Sequence, residues 1–371
     1  MSLQYSENIL LLGAGFTKNF GGLLANEMWA EIFSHKAIQN QPRIKKLMLN
    51  DFDYEYIYYS VLDNFKDENG LFGEENEIIV FDDDEKKAIQ EATSSAYLYI
   101  DEILIEYIKN HPYPTELSHF KDLIEQIGSQ SHKVEEFIDN HDGKRKIRTV
   151  DTENKSFIFT LNQDLLFERL LAKNYEANIS IPGIVNNPDW FTTRFAKSLE
   201  INDYCKLPDE DELKTMDILH EGNYFLIKLH GSCNWLSFDG SEIMVIGSRK
   251  KSKILKEPLL KTYFEIFENV LSQKNRRLFI IGYGFRDKHI NEIISDSITK
   301  QGLKIYIITP ESPRALQQKL CKGTEDFECS EDTVNIWRGI AGYSQFVEDI
   351  LINSDFNRQA KKKQFYKTFF D

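Results

Sequence analysis

Five short apolar runs, none of which alternates with polar residues, constrain this chain more than any other feature. They are NILLLGAG (8–15), SFIFTLNQD (156–164), YFLIKLHGS (224–232), RLFIIGYGF (277–285) and KIYIITP (304–310). A strand with one solvated face alternates, whereas a strand covered on both faces need not, and such strands belong in a parallel sheet between layers of helix. Each of the first four runs ends in glycine or in side chains capable of chemistry. Ligands of open α/β sheets lie outside the carboxyl ends of the strands, so these four clusters, far apart in sequence, are expected to meet at one edge.

The expected fold class is therefore α/β, a Rossmann-like parallel sheet flanked by helices, with a large helical insertion after the first strand. The insertion is inferred from the ~130 residues between the first two runs, far more than one crossover helix needs. Within it EMWAEIFSHKAI, DYEYIYYSVLDNF, SAYLYIDEILIEYIKN and ELSHFKDLIEQI carry apolar residues at three- and four-residue spacing. The acidic stretch 66–87 reads as an exposed loop with one short strand. Domains are expected at 1–20 with 151–310 (the sheet), 21–150 (the insertion) and 311–371 (a C-terminal region in which VNIWRGIAGYSQFVEDIL forms a strand or turn before a final helix). A shorter insertion is expected at roughly 172–222.

With 45 basic against 59 acidic side chains the formal charge is -14, which disfavours broad attachment to nucleic acid or to an anionic membrane. Arg276-Arg277 and Lys361-Lys362-Lys363 read as solvated surface. The four cysteines form no C-x-x-C pair, so neither a zinc knuckle nor a disulfide framework is expected. No apolar run approaches the length of a membrane span and no signal-type start is seen, so the expectation is a cytoplasmic protein without membrane contact.

Four clusters carry the candidate chemistry. Gly13 and Gly15 would let backbone approach a pyrophosphate, with a helix beginning near Thr17 aiming its N–H groups at the anion; a plain strand-to-helix turn is the other reading. In TLNQD, Asn162 and Asp164 offer donors and acceptors to a ribose or a carboxamide, while Asp164 reads equally as the cap of the helix LLFERLLAKN. In KLHGS, His230 precedes Gly231, and its imidazole is suited to moving protons near neutrality or to a structural role. In GYGFRDKHIN, Gly282 and Gly284 form a second tight turn, Asp287 could cap the helix starting near Lys288, and His289 reads as a surface residue of its first turn.

As a set, GAG followed by Thr17, TLNQD, KLHGS and GYGFRDKHIN resemble the sirtuin-like domain, over about half of the chain. The overall architecture is similar to prokaryotic sirtuin-like proteins of antiviral defence, including stand-alone subunits that pair with a HerA-type ATPase. No paired C-x-x-C motif is present, Leu161 stands where deacylases carry Gln, and GGLLANE replaces their G-I-P-x-F-R segment, so a protein deacylase or transferase is disfavoured. The resemblance implies an NAD hydrolase that cleaves the nicotinamide–ribose bond, with a non-catalytic NAD-sensing or assembly subunit as the alternative. It assigns catalysis to Asn162 and His230. Gly13, Ala14, Gly15, Phe16 and Thr17 would surround the diphosphate, Asp164 the carboxamide end, and Gly231, Gly282, Tyr283, Gly284, Phe285 and Asp287 the rest of the NAD. NAD is the implied substrate, no metal is expected, and homo-oligomerisation through the insertion and the C-terminal region is expected alongside the ATPase partner.

Overall fold

The computed structural model describes residues 4–63, 65–110, 132–138, 145–151, 154–173, 179–184, 205–219, 224–240, 245–247, 250–325 and 327–345. In chain order the strands are β1 (Gln4–Leu12), β2 (Phe65–Asp67), β3 (Glu77–Ile79), β4 (His132–Ile138), β5 (Arg145–Asp151), β6 (Asn154–Thr160), β7 (Ile179–Ser180), β8 (Cys205–Lys206), β9 (Tyr224–Lys228), β10 (Trp235–Leu236), β11 (Arg277–Ile281), β12 (Lys304–Ile308) and β13 (Ile340–Ser344). Seven of them form one sheet in the order β13-β12-β11-β1-β6-β9-β7, and every neighbouring pair is parallel. The fold is α/β and Rossmann-like, with the five apolar runs as its central strands. Ile9–Leu12, Phe157–Phe159, Phe225–Ile227 and Leu278–Ile281 are buried, which is why these strands show no alternation. The sheet's edges are β7, which the sequence did not announce, and β13, which lies in the stretch expected to form a strand or turn.

β1 is central, and the chain builds the sheet to one side of it through β6, then crosses to the other through β11. Such a reversal point is where an open sheet accommodates a ligand. Helix Pro258–Leu271 covers one face, Phe267 meeting Phe159 edge-on with ring centres 4.8 Å apart, and helix Lys288–Gln301 packs beside it.

The insertion after β1 is helical, comprising Ala25–Ser34, Lys36–Gln39, Pro42–Asn50, Tyr54–Leu62 and the 28-residue Asp83–Asn110. Ala88, Ile89, Ala92, Ala96, Ile100 and Leu104 form the buried stripe of the last of these, at helical spacing. Tyr54 and Tyr58 are core residues. The acidic stretch holds a two-strand antiparallel hairpin, β2 with β3, rather than one strand. Asp67, fully buried, organises its turn by accepting the N–H groups of Leu71 and Phe72. An ion pair ties the insertion to the sheet, Arg169 of helix Leu166–Lys173 bonding both oxygens of Asp101 at 2.9 and 2.7 Å.

Arg276 is buried rather than solvated because it immediately precedes β11. Helix Glu331–Arg338 precedes β13, so the C-terminal pattern reads helix then strand. The helix expected over 116–127, much of the second insertion, the final helix and the Lys361–Lys363 run lie outside the described residues. Among the described residues no helix is long and apolar enough to cross a membrane.

Candidate active site

The carboxyl ends of β1, β6, β9 and β11 do meet at one edge. Backbone bonds extend the strands into their turns: Leu161 donates to Leu12, Leu229 to Thr160, and Gly13 to Ile281. Gly282 has φ +65°, and a β-carbon on it would lie 2.2 Å from the Phe16 nitrogen. One on Gly13 would lie 2.6 Å from the Gly282 carbonyl oxygen, and one on Gly15 would lie 2.8 Å from its α-carbon. The first and last glycine turns therefore close on each other, backbone to backbone.

That closeness corrects one expectation and sets the hydrogen bonds of the turn. The N–H groups of Gly13, Gly15 and Phe16 donate to Ile281, Gly282 and Gly13 respectively, so these three donors are engaged within the protein. The helix does not begin near Thr17; it spans Ala14–Lys18, a single turn that the seam with Gly282 holds in place. Phe16 is a core residue, stacked on Phe167, whereas Ala14 and Gly284 are exposed at the rim. Phe285 is buried at φ +60°, an uncommon backbone for an aromatic residue, and its carbonyl is held by the Asn291 amide at 2.7 Å. Tyr283, also buried, donates to Asn291 at 3.0 Å.

The first functional cluster joins the ends of β1 and β6. The Asn162 amide donates one hydrogen to the Gly13 carbonyl at 3.0 Å and the other to Thr17 Oγ1 at 2.8 Å. Thr17 in turn donates to Asp164 Oδ2 at 2.8 Å, and Asp164 Oδ1 accepts the Leu166 N–H at 3.0 Å. Asp164 is thus both the helix-start acceptor and a member of the network. Burial pushes its carboxyl above the usual range, against the pull of Lys228. Lys228, the last residue of β9, is itself buried. Its ammonium donates to the Asp164 carbonyl, Glu168 Oε1 and Ser232 Oγ at 2.6, 2.7 and 2.8 Å, which compensates its charge.

The second cluster lies beyond β9 and β11. His230 is buried, hydrogen-bonded to the Leu161 backbone, and its Nε2 lies 3.1 Å from Nε2 of His289. Asp287 Oδ1 is 3.9 Å from His230 Nε2 and 2.8 Å from the Lys250 ammonium, which also reaches Glu55 Oε2 of the insertion at 2.6 Å. Burial works against the Asp287 carboxylate, but Lys250 and the two imidazoles hold it at about 2. Burial drives His289 down to about 4 and His230 well below its ordinary value, so both rings are neutral at neutral pH. Phe264 stacks on His289, ring centres 5.4 Å apart. The glycine loop before Lys250 is clamped by the insertion: at Gly247, φ +89°, a β-carbon would lie 2.4 Å from the Tyr59 β-carbon.

His289 is therefore buried rather than on the surface, because its turn of helix faces His230. Asp287 occupies the N-cap position of its helix but makes no side-chain cap bond, since Lys250 has taken its carboxylate. Sequence reasoning also passed over Lys228, Lys250 and Glu55. A lysine inside the run YFLIKLHG, and one acid among the aromatics of DYEYIYY, were signals for two of them. Lys250 stands in a polar run that reads as solvated.

Residues 156–328 match the family model of the SIR2-like domain. The SIR2-like segment takes in β6, β9, β11 and β12 with both clusters; Thr17, Gly13 and Glu55 reach it from outside the matched span. SIR2-like domains use NAD as a substrate, so the match points to NAD-related chemistry at the level of that family. No curated protein matches the chain.

Proposed function

We propose that this chain hydrolyses NAD at the bond between nicotinamide and ribose, releasing nicotinamide, ADP-ribose and a proton. The observation that carries the reading is the fixed amide of Asn162: with both its hydrogens taken by Gly13 and Thr17, what it offers a ligand is its carbonyl oxygen. An acceptor there suits a ribose hydroxyl or the attacking water, next to the oxocarbenium-like centre that departure of nicotinamide creates. The leaving pyridinium already bears positive charge, so no strong acid is required. Asp164 faces the carboxamide end, His230 takes up the proton, and the turns at 13–17, 231 and 282–287 surround the diphosphate and the adenosine half, Ala14 and Gly284 at their exposed rim.

The test is nicotinamide release from NAD by the full chain, beside Asn162→Ala and His230→Ala. Loss of about 100-fold or more in both variants is expected, and release unaffected by either substitution overturns the assignment. One observation favours a second reading, a subunit that binds NAD without turnover. His230 is 3% exposed and its Nε2 already faces His289. NAD binding with no release would favour it.

The sheet at 1–20 with 151–310, the insertion at 21–150 and the region 311–371 are proposed as the functional units. A homo-oligomer and a HerA-type ATPase partner, in a cytoplasmic antiviral role that depletes NAD, extend the same proposal. Its support is the resemblance together with exposed apolar side chains in the insertion, Leu49, Phe52, Ile78 and Val80 among them. Light scattering that finds only monomer, alone and with a co-encoded ATPase, overturns this extension.

A further inference from the structure

The buried cluster contains the makings of a metal centre that neither the SIR2-like match nor the hydrolysis of NAD calls for. Among the described residues, His230, Asp287 and His289 are a group whose ligand atoms all lie within 4.8 Å of one another. We propose that these three residues bind a divalent transition ion of the zinc type, held between the two imidazole Nε2 atoms and the Asp287 carboxylate.

Four observations carry this. The two Nε2 atoms are 3.1 Å apart, and two imidazoles on a tetrahedral ion, at about 2.0–2.1 Å each, are separated by about 3.3 Å. Asp287 Oδ1 must close from 3.9 Å, a small side-chain movement. The outer partners of a metal site are already present: His230 is bonded to the Leu161 backbone, Asp287 to Lys250, and His289 lies under the Phe264 ring. Ligating histidines and carboxylates ordinarily need such partners to fix their orientation. The charge is also suitable, since Lys250 between Glu55 and Asp287 leaves one net negative charge beside two neutral rings. Finally, His289 lines a groove of about 470 Å³ between helices Pro258–Leu271 and Lys288–Gln301, giving an ion a way in that does not cross the strand-end crevice.

On binding, the proton on the Nε2 of one ring is relocated through solvent to Nδ1 of the same ring, so that both neutral imidazoles present an Nε2 lone pair to the ion; no net proton is released and no electron is transferred. An ion on His230 Nε2 and proton uptake by that nitrogen exclude each other, so the site would restrain the hydrolase.

The experiment titrates chelator-treated, dialysed full-length protein with Zn²⁺ by calorimetry and with Co²⁺ by visible absorption, without NAD. It therefore succeeds or fails independently of the hydrolase reading. One site per chain is expected, with Co²⁺ ligand-field bands free of thiolate charge transfer, weakened about 10- to 100-fold in both His289→Ala and Asp287→Asn. A melting curve establishes that each variant is folded, and either one alone suffices. Absence of a site, a thiolate spectrum from the cysteines, or unchanged affinity in a folded variant overturns the proposal.

Discussion

At the ends of β1 and β6, Thr17, Asn162 and Asp164 are joined by hydrogen bonds of 2.8 Å, and the last two remain part-exposed. Beyond β9 and β11, the neutral rings of His230 and His289 are buried, and Asp287 and Lys250, 13% and 11% exposed, are paired by charge beside them. The bonds of the first cluster run through the uncharged Thr17 and Asn162, so removing Thr17 costs hydrogen bonds alone. In the second, Lys250 is the cation for both Asp287 and Glu55, so removing it leaves an uncompensated charge. The two clusters are neighbours on one sheet edge, yet they should respond to perturbation on different scales.

Lys250→Met should be the severest test of that difference. It strips the cation from Asp287 and Glu55 together and should cost about 3–5 kcal/mol in denaturant unfolding at neutral pH. A loss below about 1 kcal/mol would mean that the charged cluster is open to water after all.

Acid comes next. The folded protein holds His289 at about 4 against an ordinary 6.5, a depressed base, so its contribution is complete above pH 6.5 and is lost as pH falls toward 4. That shift corresponds to about 3 kcal/mol, and His289→Gln should flatten the stability profile in this window. Asp287, held at about 2, adds its loss only below the ordinary carboxylate value of 3.8. A profile unchanged by His289→Gln would place this histidine in water.

Thr17→Val should have the smallest effect, about 1–2 kcal/mol for the bonds to Asn162 and Asp164. Thr17→Ser should recover most of it. The difference between wild type and variant should not change steeply between pH 4 and 6.5, in contrast with the difference made by His289→Gln.

Much of the first cluster was legible because each member sits within a few residues of an apolar strand end, and strand ends of a parallel sheet converge. Asn162, Asp164 and Thr17 needed no further information. The second cluster is assembled differently. Glu55 comes from the insertion, Lys250 from the first position of the short polar helix Lys250–Lys256, and His289 from a helix whose buried face becomes clear only where it meets His230. No local pattern announces a contact made between elements 195 residues apart, as from Glu55 to Lys250. The edge strand β7 escaped because it is two residues long, and β13, IAGYS, was legible only as a strand or a turn because it has few apolar residues.

The seam between the turns of β1 and β11 bears on how variation in this chain should be interpreted. A saturation library selected for folding alone should return glycine at 13, 15 and 282, because an added methyl group at each strikes backbone. Intolerance there reports how two strand ends meet, whatever occupies the crevice. At Gly284 the same methyl would meet nothing within 4 Å. A second selection, for NAD turnover, would therefore draw its information from position 284: glycine retained there under that pressure alone would be the mark of a ligand.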